Sequence, residues 1–454
     1  MLVLIWWQFK HSWKKWLGTL FVFITAGLFL GFTAIGSFST IQEHLNYGNF
    51  NPVELFLMPT IFGVVTLILI IKGMTRLLIN SFKKEYSLWA VLGANPSQLA
   101  RIISSQMVLI SIVGGAFGYL CSYPVVVHLY SWVRTSPGMQ QFPSMAFHFS
   151  TLSLLITLLS IGTISGIMSF FAAHKIFYSA QNQSQHWSNL RKWGMSPIKW
   201  IVSLISLGGL IYLYHLFFIQ PQALRLLLGS NKASLASLYT PLFLGMTFVT
   251  IILFSLTASF SLPFLTKLIS KLFMKQPLKT FTTAYWNVLS KNDFLRSVIV
   301  PLFILSLLCS FFAYLAIDLA GIASRRSLRG LLGTLAIFLG APFLVILANA
   351  ISITVISSAE RNSNLHQLQM LGFSLKDLLC EKYWEASLYA LLIFAVGVVN
   401  NIFLFKAIIR AAQNTGVVVR DNWGSIFILP MLCGFLAFLF VAVIDILHIY
   451  HVNQ

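Results

Sequence analysis

Along the chain, apolar residues come in ten long runs separated by shorter polar stretches. Crossing a hydrocarbon layer of about 30 Å takes roughly 20 mainly apolar residues in a helix. By that measure the runs near 16–38, 55–80, 105–130, 150–172, 199–219, 240–262, 297–317, 332–357, 384–407 and 425–447 each predict a span. The fifth, around Ile201–Ile219, is the shortest. The fold class expected is an all-α polytopic membrane protein of about ten transmembrane helices.

Composition identifies the solvent. Apolar residues make up 57% of the 454 and charged residues 9%, whereas a water-soluble domain carries about 25% charged residues. A soluble enzyme and a disordered chain are both excluded. A net charge of +19 would suit a nucleic-acid binder, but these cations sit in short clusters between apolar runs, as in cytoplasmic loops. No nucleic acid is expected as a partner. With the N-terminus inside, most of the 30 Lys and Arg fall on the inner side. They are Lys10, Lys14 and Lys15, the stretches Lys72–Arg101, Lys175–Lys199 and Lys267–Arg296, and Arg361, Lys376 and Lys382. This bias predicts a multi-pass protein of the cell membrane with both termini cytoplasmic. Arg325, Arg326 and Arg329 depart from it, in a supposed outer loop. The N-terminal segment reads as retained, because its lysines lead into a full-length span without a small-residue cleavage site. Cys121, Cys309, Cys380 and Cys433 lie in or beside apolar runs and give neither a disulfide framework nor a zinc pattern.

The chain also matches itself at a separation of 279 positions. Trp7 falls on Trp286, Leu92-Gly93 on Leu371-Gly372, Leu99 on Leu378 and Gly118 on Gly397. Both copies open with a Trp-rich, basic, amphipathic segment before a span. The repeat divides the chain into a first module, 1–175, with spans 1–4, a connector, 176–265, with spans 5 and 6, and a second module, 266–454, with spans 7–10. Duplicated halves with a site or pathway between them are common in transporters. Both halves run the same way, which puts the pseudo-twofold axis along the membrane normal.

The polar segments after the second and eighth spans carry the most information. In the first, Glu85, Leu88 and Leu92 have helical spacing, Gly93 stops that helix, and Asn95, Pro96 and Ser97 start the next one. The second repeats this with Leu365, Leu368, Leu371 and Gly372, and Ser374 caps the following helix. Each reads as a short amphipathic helix on the inner surface, a sharp turn, and re-entry into the bilayer. The pattern E-x-x-L-x-x-x-L-G-A over Glu85–Ala94, followed by a basic helix and a span bearing Gly114, Gly115 and Gly118, resembles the FtsX-like permease family. That family supplies membrane subunits of one class of ABC transporter. The ten-span layout looks like its bacitracin-resistance type, over roughly residues 55–175 and 330–450. Two departures stand out. Asn364 replaces the family's Glu and Phe373 its Ala. Only about Asp318–Leu331 occupies the place of that type's large extracellular domain.

The resemblance implies that Glu85–Ala94, with Leu88, Trp89, Leu92 and Gly93, and Asn364–Phe373, with Leu365, Leu368, Leu371 and Gly372, dock in grooves of separate ATPase subunits. Two ATPase copies are implied, with ATP and Mg bound on them and no cofactor in this chain. The cargo implied is an amphipathic peptide or lipid-like molecule, as in resistance to antimicrobial peptides. Amphipathic helices fill grooves in this way on general grounds. The chain contains no G-x-x-x-x-G-K-[ST] and shows no catalytic triad or paired carboxylates, so it reads as a non-enzyme. His448 and His451, one turn apart, lack further metal ligands. Ionisable groups inside spans are functional candidates, which singles out Lys72 and Glu385 for a pathway. Gly114 and Gly118 form a small-xxx-small pair suited to close helix packing. A rival function is a regulatory or mechanical component that passes ATPase motion to a sensor kinase or envelope enzyme. An ion-driven transporter is disfavoured by the scarcity of buried acids.

Overall fold

The computed structural model describes residues 2–42, 52–82, 86, 88, 89, 92–135, 143–183, 197–220, 222–224, 235–273, 279–290, 292–318, 339–353, 356, 367–415 and 424–452. Among the described residues there is no strand. The helices are α1 (Leu2–Gln42), α2 (Pro52–Ser81), α3 (Pro96–Arg134), α4 (Thr151–Gln183), α5 (Pro197–Leu216), α6 (Leu235–Phe273), α7 (Lys279–Ser290), α8 (Asn292–Asp318), α9 (Leu339–Ile353), α10 (Leu375–Thr415) and α11 (Ser425–Val452).

Nine of these, all but α7 and α9, are long and apolar enough to cross a membrane. The protein is thus an all-α polytopic membrane protein. The eighth apolar run is represented by the shorter α9, and the rest of 332–357, apart from Ile356, lies outside the described residues. Several threonine hydroxyls within the spans are satisfied locally. Thr19 donates to the carbonyl three residues back, and Thr66, Thr75, Thr247 and Thr266 to the carbonyl four back. Such bonds remove the cost of a bare donor in hydrocarbon.

Several helices exceed their apolar runs, α3 and α10 among them. α3 has 39 residues and α10 has 41, starting well before the runs that begin near 105 and 384. Each opens with its own N-terminal cap straight after a glycine turn, so the polar first turns and the apolar run form one continuous helix.

The chain forms two compact units, Met1–Ser188 with Arg326–Phe373, and Asn189–Arg325 with Ser374–Gln454. In the first, α1 crosses α3 on a seam of small residues. A Cβ added at Gly118 would lie 2.1 Å from the Ile24 carbonyl oxygen, and one at Gly114 2.8 Å from Phe23 Cβ. From the other side, a Cβ at Gly27 would lie 2.5 Å from the Gly115 carbonyl oxygen. Backbones approach this closely only where side chains are absent. A polar seam joins α3 to α4. Ser104 donates to the Gly166 carbonyl at 2.9 Å, Ser165 to Ser111 at 2.8 Å, and Tyr119 to the Ser150 carbonyl at 3.1 Å. Beyond this seam, Phe32, Phe56, Tyr130 and Phe147 close an aromatic cluster.

In the second unit α10 packs against α7, α8 and α11, and α8 packs against α6 and α11. The repeat register maps α3 onto α10 and α1 onto α7 plus α8. The triad α8–α10–α11 therefore repeats the pairing of α1–α3–α4. One difference is that α1 is one helix over Leu2–Gln42, whereas its counterpart comprises two, the amphipathic α7 ending at Ser290 and the span α8 starting at Asn292.

Candidate functional site

The two glycine turns share their geometry residue by residue. In the first, the Leu92 N–H donates to the Leu88 carbonyl at 3.0 Å and the Ala94 N–H reaches back to the Trp89 carbonyl at 3.0 Å. In the second, the Leu371 N–H donates to Gln367 at 3.1 Å and the Phe373 N–H to Leu368 at 3.1 Å. These bonds close a short helix in the Schellman manner, which needs a left-handed residue at the stop. Gly93 has φ +89° and Gly372 φ +83°. A Cβ at either would meet nothing within 4 Å, so glycine is required here by the backbone and not by space.

The next helix starts in the same register. The Asn95 side chain accepts from the Ser97 N–H at 3.4 Å, and the Asn95 N–H donates to Gln98 Oε1 at 3.2 Å, with Pro96 in the first turn. In the second copy the Asp377 N–H donates to Ser374 Oγ at 3.3 Å and the Ser374 N–H to Asp377 Oδ2 at 3.1 Å. Both are reciprocal capping boxes.

The turn tips carry unburied apolar side chains. Leu92 is 84% exposed and Leu88 64%, while Met370 is 85% and Leu371 75% exposed. Leu368, Ala94 and Phe373 are half-buried. Trp89 is half-buried too, its ring edge-on to Tyr86 at 6.2 Å. It ends an aromatic ladder in which Tyr86 contacts Phe82 at 6.0 Å and Phe177 at 5.5 Å, and Phe82 stacks on Trp16 at 6.2 Å. The first tip is thereby tied to α1 and α4. Glu85, Asn364 and Leu365 lie outside the described residues.

The start of α10, directly after the second turn, is held differently. Lys279 of α7 pairs with Asp377 at 2.9 Å, and Asn287 donates to Glu381 Oε1 at 2.7 Å. Phe281 of α7 packs edge-on to Trp384 at 5.3 Å. Behind them sits a buried cluster. Lys382 Nζ is 2.7 Å from Glu385 Oε2 and 3.3 Å from Glu381 Oε2, and the Tyr389 hydroxyl donates to Glu385 Oε1 at 3.1 Å. Glu385 thus lies buried in an ion pair. Lys72 belongs to the first unit, on an exposed face of α2. The register puts Ile102, Ile103 and Gln106 where the second copy has Glu381, Lys382 and Glu385, so the charged cluster belongs to one half.

Sequence reading singled out Glu385 and missed its partners. The signal was Glu381 and Glu385 one helical turn apart with Lys382 between them, just ahead of an apolar run. It also missed Gly27, whose spacing to Gly31 matches that of Gly114 to Gly118. Among the described residues no group of three or more His, Cys, Asp or Glu is arranged to hold a metal.

A family model described as FtsX-like permease C-terminal matches residues 56–180 and 336–454, together more than half of the chain. Each match takes in one glycine turn and the helix that follows it. No curated protein matches the chain. With two matched segments, each built around the same capped turn, the chain belongs to the FtsX-like permease family of multi-pass membrane transport proteins.

Proposed function

We propose that the chain is the membrane-spanning permease subunit of an ATP-driven ABC transporter, of the ten-span bacitracin-resistance type without its large outer domain. Two separate ATPase subunits, which bind ATP and Mg, grip the two glycine turns from the cytoplasm. Leu88 and Leu92 on one turn, and Met370 and Leu371 on the other, seat in the grooves of these subunits. Hydrolysis then rocks one half of the permease against the other and moves an amphipathic peptide or lipid-like cargo out of the bilayer.

The observation that carries this reading is the pairing of the turns. Two positive-φ glycines, each with the same closing bonds and the same capping box, present exposed apolar tips. An apolar side chain left in water next to a rigidly capped helix start is a handle for a groove. The rigid caps pass force on the tips straight into α3 and α10.

The test is retention of the ATPase by the tagged permease. Proline holds φ near −65° and cannot adopt +89° or +83°. The double variant Gly93→Pro/Gly372→Pro should insert in the membrane as wild type does and yet lose the ATPase in a pull-down. Undiminished capture of the ATPase by an inserted double variant would count against the assignment. In a reconstituted complex, ATPase stimulation by a peptide antibiotic or a lipid supports transport. Stimulation solely by a partner protein such as a sensor kinase supports the regulatory alternative.

A further inference from the structure

At the end of α10 remote from Ser374, two cations stand on an exposed face where three spans stop. Helices α5 and α10 end at Leu216 and Thr415, and α6 begins at Leu235. This level is fixed by Asn414, whose amide donates to the Phe217 carbonyl at 3.1 Å and to the Tyr239 hydroxyl at 2.9 Å. Lys406 and Arg410, one helical turn apart, are both exposed. Among the described residues no carboxylate pairs with either.

The arginine is held in place. Its guanidinium carbon lies 5.2 Å from the Phe218 ring centroid, and its Nη1 donates to Gln413 at 3.0 Å. Towards the middle of the span, on the same face of α10, Phe403 is 53% exposed and packs edge-on to Tyr214 of α5 at 6.1 Å. The face therefore changes from aromatic and apolar to doubly cationic over two turns. The first copy has Pro124, Val127 and Ser131 at the matching positions, so this feature is particular to the second half.

We infer that this face binds an anionic phospholipid of the surrounding bilayer, its phosphate held between Lys406 and Arg410 and its acyl chains lying along Phe403 and Tyr214. Charge complementarity selects the occupant. Two cations that no carboxylate pairs with among the described residues, at the level where spans end, attract an anionic headgroup, and the aromatic stretch below them suits its tails. Stacking on Phe218 fixes the guanidinium in advance, so less side-chain freedom is lost on binding. The inference does not depend on the ATPase reading.

The test is native mass spectrometry of the full chain offered phosphatidylglycerol and phosphatidylcholine together. Wild type should retain the anionic lipid preferentially. Lys406→Ala/Arg410→Ala should cut that preference by about fivefold per cation removed. Phe218→Leu, which keeps both charges, should cut it by about twofold. Arg134→Ala, at the end of α3, should leave it unchanged. The inference is overturned if the double variant binds as wild type does, if Arg134→Ala is equally damaging, or if millimolar inorganic phosphate displaces the lipid and so marks a site for a free anion. Should the double variant fail to fold, an unchanged preference in Phe218→Leu overturns the inference by itself.

Discussion

The α1–α3 crossing makes a quantitative prediction for Gly118→Ala. The added Cβ would lie 2.1 Å from the Ile24 carbonyl oxygen, 2.7 Å from Leu28 N and 2.8 Å from Gly27 Cα. All three are backbone atoms, so no rotamer change relieves the clash. Ordinary contact begins at 3.4 Å, so the two helices must separate by more than an ångström over this stretch. Overpacking of this kind costs about 1–3 kcal/mol, and the separated seam also loses dispersion contacts along its length. Gly114→Ala meets Phe23 Cβ at 2.8 Å and Ile24 N at 3.2 Å, a milder conflict. Gly162→Ala meets nothing within 4 Å and gains helix propensity of about 0.5–1 kcal/mol. Thermal unfolding in one detergent should therefore rank Gly162→Ala at or above wild type, Gly114→Ala below it and Gly118→Ala lowest. If Gly118→Ala proves as stable as Gly162→Ala, the close crossing is refuted.

Other consequences concern the turns and the buried charges. Gly93→Ala should weaken ATPase capture through strain of about 1 kcal/mol at the left-handed position, and Gly93→Asn should lose less, because asparagine tolerates that conformation; equal loss in both would show that space and not φ matters there. Lys382→Met removes the cation between two buried carboxylates and should destabilise the protein by about 3–5 kcal/mol in detergent unfolding. Lys279→Met breaks an exposed, water-screened pair and should leave the transition unmoved; similar losses from the two variants would contradict the difference in burial. Leu92→Ser/Leu371→Ser should leave unfolding unchanged while reducing ATPase capture, and a large loss of stability would mean that the tips are packed.

Much of the fold was legible because lipid imposes one rule along the whole chain. Apolar runs of full length mark spans, and nine of the helices meet that standard. Ends were harder to read. The capping box at Asn95 and Gln98, and its twin at Ser374 and Asp377, carry α3 and α10 back through polar residues that hydropathy assigns to a loop. The glycine turns could be read from local chemistry, since a helix stop followed at once by a helix start is written in adjacent residues. The supports of those turns could not. The ladder Trp16–Phe82–Tyr86–Trp89 joins residues more than sixty positions apart, and α7 bonds to α10 across about a hundred, so only the folded chain brings them together.

The central claim is that the two turns face the same compartment and touch the same kind of partner. With Cys121, Cys309, Cys380 and Cys433 replaced by serine, Leu92→Cys and Leu371→Cys can be labelled in inside-out and right-side-out vesicles and then cross-linked with the ATPase present. Labelling of both positions from the cytoplasmic side alone, with each cross-linking to an ATPase subunit, is the predicted result. Labelling of the two positions from opposite sides of the bilayer would contradict the account.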